Sequence, residues 1–229
     1  MEFERTQLPR TSEAIAASAL RAAIIRGDLR PGAKIRQEAT AAQLGVSLIP
    51  LREALKTLAG EGAVTYEPQR GYFVTELHDG AIRQIYELRA VVEAEAERRA
   101  LPNLLEPDRA AMRFAIHTQE RAAQDLDAVE MIAANRRFHF ALFDRCGNPW
   151  LLRFVTQLWD ALDPYRVLSY RRMWLDADDR VIPEAIVGEH TAILAAIDNE
   201  DPALALELLE RHRERSETFI ETLVAPPAP

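Results

Sequence analysis

Apolar residues recur at helical spacing along almost the whole chain, with one break where two short β-prone runs stand. Residues 12–26 predict a first helix with Ile15, Ala19, Ala22 and Ala23 on its apolar side and Gly27 placed to end it. Gly27 to Gly32 is a turn-rich connector, and Glu38 to Leu44 predicts a short alanine-rich second helix. Gly45 supplies a permissive backbone for a tight turn into a third helix, which ends near Gly60-Glu61-Gly62. There Leu51, Leu55 and Leu58 fall at i, i+4 and i+7 and form the buried stripe, while Arg52 and Lys56 share another face. Ser47 can cap this helix, and Pro50 is tolerated because it falls in the first turn. The β-prone runs Val64-Thr65-Tyr66 and Tyr72-Phe73-Val74-Thr75 flank the turn signal Glu67-Pro68-Gln69-Arg70-Gly71.

Three helices and a hairpin make a winged helix-turn-helix over residues 8–77. A helix anchored by leucines, with two cations pointing outward, suits a DNA major groove. The hairpin tip would carry Arg70 toward a minor groove or the backbone. The competing reading is a small helical unit with a solvated basic face, its hairpin a simple lid.

From Ala81 onward no β-prone run recurs. Helices are predicted over 81–100, 106–124, 127–145, 149–171, 183–198 and 202–223. They are separated by Pro102, Pro107, Gly147-Asn148-Pro149, Asp176–Asp179, Pro183 and Asn199–Pro202, while Pro164 falls inside one and marks a place for a kink. The proline-rich tail, residues 224–229, is expected to be disordered. The expected fold class is mainly α: an N-terminal winged helix-turn-helix and a C-terminal all-α antiparallel bundle over 81–223.

Composition narrows this picture. With 48% hydrophobic residues in 229, the chain can build packed cores. No apolar run approaches the ~18 residues a membrane helix needs. The N-terminus Met1-Glu2-Phe3-Glu4-Arg5 lacks the apolar core of a signal peptide, and the single cysteine, Cys146, has no internal partner for a disulfide. A reducing, cytoplasmic setting is expected. The net charge of −8 speaks against nucleic acid, but residues 1–76 carry 10 Lys and Arg against 9 Asp and Glu, and the rest 18 against 27. The acidic excess therefore lies outside the winged helix, which can still bind DNA through a local patch.

Three histidines sit on predicted apolar stripes of three bundle helices. They are His139 among Ile132, Asn135, Leu142 and Phe143; His190 among Ile186, Ile193, Leu194 and Ile197; and His212 among Leu204, Leu208, Phe219 and Leu223. One buried imidazole is ordinarily a satisfied core residue; three on facing helices can meet at one point, as in bundle metal sites. Imidazoles favour zinc, nickel and similar ions, and a three-histidine site keeps a position open for water or an anion. Spacing alone leaves this open against unrelated core histidines. His78 and His117 lie among polar neighbours and read as solvated. Arg89 and Glu93, four apart, are either a surface ion pair or an inward arginine that clamps a carboxylate. Tyr165, Arg166, Tyr170, Arg171 and Arg172 form a basic, aromatic stretch of which one or two would line a cavity and the rest lie outside.

Together these residues resemble the GntR family of bacterial transcription regulators, in its FadR-like branch with an FCD ligand-binding domain. The resemblance rests on Ile24 to Gly32, Leu44-Gly45-Val46-Ser47, Pro50 to Leu55, Glu61-Gly62 and Arg70-Gly71 in the first part. In the second it rests on Glu87-Leu88-Arg89, Glu93, Asn135 to His139, Gly147-Asn148-Pro149, Glu189-His190, Ala196-Ile197, Asp201 and His212. It implies a homodimer on an inverted-repeat operator in double-stranded DNA, controlled by a small organic acid in the helical domain. It matches Arg52 to a base-contacting arginine, Gly71 to the wing-tip glycine, and Asn135, His139, His190 and His212 to ligands of a divalent ion, zinc or alternatively nickel. Arg89 matches an arginine facing the effector carboxylate, and Arg166 and Tyr170 join it as candidate effector contacts. The DNA-binding set is then Ser47, Pro50, Arg52, Lys56, Arg70 and Gly71. Two positions depart from the family pattern: Leu48 stands where an arginine is usual, so the usual half-site is not assumed, and Asn135 stands where many relatives have Asp.

The leading expectation is an effector-responsive repressor without catalytic residues. The alternatives are a regulator for which the ion itself is the signal, and a metal-dependent hydrolase. No paired carboxylate or nucleophile–base set stands near the histidines in sequence to support the hydrolase.

Overall fold

The computed structural model describes residues 11–77, 80–177 and 181–224. His78 and the tail beyond Val224 lie outside the described residues, as does the side chain of Arg172. The chain divides into two compact units, residues 1–77 and 78–229.

In the first unit, α1 (Ser12–Ile25) starts at Thr11, whose Oγ1 accepts the Ala14 N–H at 3.2 Å. Its buried face is Ala16, Ala17, Leu20 and Ile24 rather than the expected Ile15, Ala19, Ala22 and Ala23, and Ile15 is left exposed. An alanine-rich helix is mildly apolar all round, so its periodicity selects no side. Leu20 and Ile24, four apart and bulky, fill the core and decide the rotation. The second helix, α2 (Gln37–Leu44), ends at Gly45, whose φ of 65° is left-handed and favours glycine. The third, α3 (Leu48–Gly60), buries Leu51, Ala54, Leu55 and Leu58 completely. Ser47 is at its N-cap position, but its hydroxyl makes no capping bond.

Strands β1 (Val64–Glu67) and β2 (Gly71–Val74) pair antiparallel, with Val64 opposite Val74 and Glu67 opposite Gly71. The connector before α2 adds a third piece to this wing. Lys34 bridges to Phe73, the Ile35 N–H donates to the Tyr72 carbonyl at 2.8 Å, and the Val74 N–H to the Ala33 carbonyl at 2.9 Å. Ile35 anchors it in the core. A segment this short has too few apolar positions to announce itself by alternation.

The second unit is all helical: α4 (Ala81–Ala100), a 3₁₀ turn over Leu101–Asn103, α5 (Glu106–Asp125), α6 (Ala128–Phe143), α7 (Pro149–Ala177), α8 (Val181–Asp198) and α9 (Pro202–Val224). The breakers act locally. Asp127 Oδ1 accepts from the N–H groups of Val129 and Glu130, and Asn148 Oδ1 from those of Trp150 and Leu151. The seventh helix runs through Pro164 and on to Ala177, past the expected end at 171, since no breaker stands earlier. The eighth starts at Val181 with Pro183 in its first turn, where proline is compatible with a helix.

Tyr86 meets Arg166 and Glu93 meets Trp159, so α4 and α7 run antiparallel; Tyr86–Ser216 and Glu97–Arg213 set α4 against α9 in the same sense. The main core gathers Met112, Phe138, Leu142, Phe143, Trp159, Ile193 and Leu209. Among the described side chains of α9 the buried ones are Ala205, Leu209, His212, Arg213 and Ile220; the expected stripe member Leu204 is exposed, and the side chain of Leu223 lies outside the described residues. Among the described residues no helix is long and apolar enough to cross a membrane.

Candidate metal centre and nucleic-acid interface

His139 on α6, His190 on α8 and His212 on α9 converge at the centre of the helical unit, all three buried. Their Nε2 atoms form a nearly equilateral triangle with sides of 3.2, 3.2 and 3.3 Å. Two of the rings have their tautomer set from behind. His190 Nδ1 donates to Gln119 Oε1 and His212 Nδ1 to Glu189 Oε2, each at 2.7 Å. Glu189 is held in turn by Arg215. With Nδ1 protonated, Nε2 carries the free lone pair, and the lone pairs of these two rings crowd one small space beside the third histidine.

Phe138 stacks on the His190 ring with centroids 4.2 Å apart, and Trp159 packs 5.1 Å from His139. Burial pushes the pKa values of His139 and His190 well below the usual imidazole range, and the neighbouring histidines push the same way. Burial also lowers His212, against the opposing bond to Glu189. Neutral imidazoles are the ligating form.

The donor set fits a divalent ion. Around a tetrahedral centre with metal–nitrogen bonds of ~2.0–2.1 Å, two donors stand about 3.3–3.4 Å apart, close to the triangle observed. Asn135 lies one turn before His139 on the same helix and is also buried. His117 is exposed and pairs with Glu120, as its polar neighbours predict.

Beside the histidines lies a network of buried charges. Arg89 donates from Nε to Glu93 Oε1 at 2.5 Å, and both side chains are 3% exposed, so the surface reading of this pair is incorrect. Glu93 also accepts from Trp159 Nε1 at 2.7 Å and from Arg213 Nε at 3.0 Å, and Arg213 reaches both oxygens of Glu97 at 2.8 and 2.9 Å. Burial lifts Glu97 to about 7, with Arg213 opposing and the Glu93 carboxylate adding to the rise. Arg166 bonds Asp163 and the Tyr86 hydroxyl and lies over the Trp159 ring.

Tyr165, Arg166 and Tyr170 are all buried, more of that stretch than expected. Burial raises the pKa of the Tyr170 phenol. Arg89 Nη1 is buried and has no hydrogen-bond partner. Gln119, Trp159 and Arg213 escaped the sequence reading, and Glu189 entered it only as the motif neighbour of His190, without a role. The available signal for Gln119 was a polar residue on the stripe of Met112, Ala115 and Ala122; for Glu189 it was adjacency to His190.

In the winged-helix unit, α3 exposes Arg52 and Lys56, with Pro50 in its first turn. Arg52 Nε donates to Gln37 Oε1 at 3.1 Å, which holds the guanidinium against the start of α2. Lys56 pairs with Glu53 at 2.7 Å. At the wing, Arg70 pairs with Glu67 and lies over the Phe73 ring with Lys34 nearby. Gly71 has a φ of 99°, a conformation side chains rarely adopt, and a Cβ there would come within 4.0 Å of Gln37 and Lys34. The side chains of Gln37 on α2 and Lys34 flank that glycine, and the exposed cations Lys34, Arg52 and Arg70 lie around it.

Comparison with known proteins places both units. Residues 11–74 match the model of bacterial regulatory proteins of the gntR family, and residues 84–215 match the FCD domain. The Nta operon transcriptional regulator of Aminobacter aminovorans is 31% identical over 184 residues, covering 80% of this chain and 84% of the relative. The HTH-type transcriptional repressor GlaR of Escherichia coli K12 is 29% identical over 194 residues, 82% of this chain and 86% of that protein. Among solved structures, E. coli McbR/YncC superposes with a TM-score of 0.82 at 24% identity, covering 93% of this chain and 98% of that one.

Proposed function

This chain belongs to the gntR family of bacterial regulatory proteins, as a DNA-binding transcriptional regulator with an FCD domain, and from that premise we propose that it is a cytoplasmic repressor whose operator binding is controlled from a metal-containing helical unit. It acts as a homodimer on an inverted repeat, and the controlling ligand is a small organic acid. The observation that carries the reading is the triangle of Nε2 atoms, sized for one face of a tetrahedral ion and backed by Gln119 and Glu189.

His139, His190 and His212 hold the ion, zinc or alternatively nickel, with Asn135 as the fourth protein donor within reach of the same helix face. The ion, when bound, supplies an electrophilic anchor for a carboxylate. Arg89 offers the free Nη1 donor beside it, while Arg166 and Tyr170 shape the buried wall. Effector binding then shifts the population between dimer arrangements that can and cannot engage the operator. Exposed Leu88 and Val91 on α4, with exposed Trp150 and Phe154 on the adjoining α7, support a second copy as partner. The repressor sense is supported by the relative GlaR, which bears that name.

The first test is elemental analysis of the full-length protein purified without chelator or histidine tag, beside the His139→Ala, His190→Ala variant. The expected result is close to one zinc or nickel per chain in the wild type and none in the variant. A wild type free of metal removes the ion from the mechanism. A band-shift on the DNA upstream of its own gene, with and without small carboxylates, tests the rest. Operator affinity that follows free metal and ignores carboxylates would make the ion itself the signal.

A further inference from the structure

The outward stripe of α3 is Ile49, Arg52, Glu53 and Lys56, at i, i+3, i+4 and i+7. Three of these are charged. Glu53 and Lys56 pair with each other, and Arg52 is braced by Gln37. The fourth is apolar and stands out: Ile49 is 75% exposed, the highest value for any large hydrophobic side chain among the described residues. Its neighbour Leu48 behaves differently, turned inward and packed against the core of the winged-helix unit. Nothing in the unit asks for isoleucine at position 49. It contacts no core cluster, and a β-branched residue is a poorer helix former than the polar residues that would solubilise that site.

A major groove does ask for it. The edges of bases there are donors and acceptors with one apolar exception, the C5-methyl of thymine. An isoleucine in the first turn of a groove-entering helix reaches base edges, because that turn points into the groove. Its χ1 is already fixed in a helix, so little side-chain entropy is lost on docking. We propose that Ile49 is a base-reading residue that packs on a thymine methyl and so fixes an A·T pair in each half-site. This rests on the reading of α3 as the helix that enters the major groove.

The test begins with selection of an operator from random duplex DNA by the full-length protein. Each thymine of the selected site is then replaced singly by uracil, which removes only the methyl group. Wild-type affinity is expected to fall about four-fold at one thymine per half-site, the effect of burying one methyl group. Ile49→Ala should bind the thymine and uracil forms equally, and Ile49→Val should keep part of the difference. Because Ile49 is exposed and contacts no core cluster, neither variant should lower the melting temperature. A selected operator at which no uracil effect disappears in Ile49→Ala overturns the assignment. If no sequence is selected at all, the reading of α3 fails, and the proposal with it.

Discussion

Glu93 shows how much can rest on one side chain. It receives Arg89, Arg213 and Trp159 in a setting where water does not reach. Both arginines hold its pKa below the usual carboxylate range despite the cost of burial. Glu93→Gln keeps the volume but removes the charge that two buried cations face. The expected loss is about 3–5 kcal/mol of unfolding free energy, read by urea denaturation. Glu97 makes a prediction of opposite sign. Burial raises its pKa from the ordinary 4.5 to about 7 in the folded chain, so the folded state binds the extra proton between those values. Stability contributed by that proton is present below about pH 4.5 and is lost as pH rises through 7. Glu97→Gln should therefore lose less stability than the wild type between pH 5 and 7, measured by denaturation at both.

The helices themselves were easy to find where proline, glycine or an Asx cap punctuates them, as at Asp127 and Asn148. Their rotation was harder. In α1 and the start of α9 apolar residues surround the axis, and only packing decides that Leu20 goes in and Leu204 stays out. The three histidines were legible because each interrupts an otherwise apolar stripe. The spacing of Arg89 and Glu93 was equally visible, but their depth was not, since an i,i+4 ion pair reads alike on a surface and in a core. One boundary carries its own prediction. Leu126 ends α5 with a φ of 57°, a left-handed conformation that costs a non-glycine residue about 1–2 kcal/mol. Leu126→Gly should raise stability by about 0.5–1 kcal/mol after the lost contact of its partly exposed side chain, visible as a higher melting temperature. Asn148→Ala should cost about 1 kcal/mol by uncapping α7.

Taken together, the chain is an acidic protein that reads an acidic polymer. Its net charge of −8 belongs to the helical part, while Lys34, Arg52 and Arg70 gather on one side of the winged helix. Operator affinity should therefore fall steeply with salt even though the whole protein repels DNA at long range. Arg70→Ala should reduce the slope of log affinity against log salt by about 1 for each copy bound, one phosphate contact apiece, with little change in base preference.

The interlocked charges of Arg89, Glu93, Arg213 and Glu97 also constrain ancestry. Each acid answers at least one base on another helix, and Glu93 and Arg213 each serve two partners, so exchanging Glu93 strands Arg89 in the interior and exchanging Arg213 strands Glu97. Relatives can drift away from this arrangement only by paired exchange or through a weakened intermediate. The four positions should travel through descent as one inherited block, while the exposed residues of α3, which face no buried charge, are free to change one at a time.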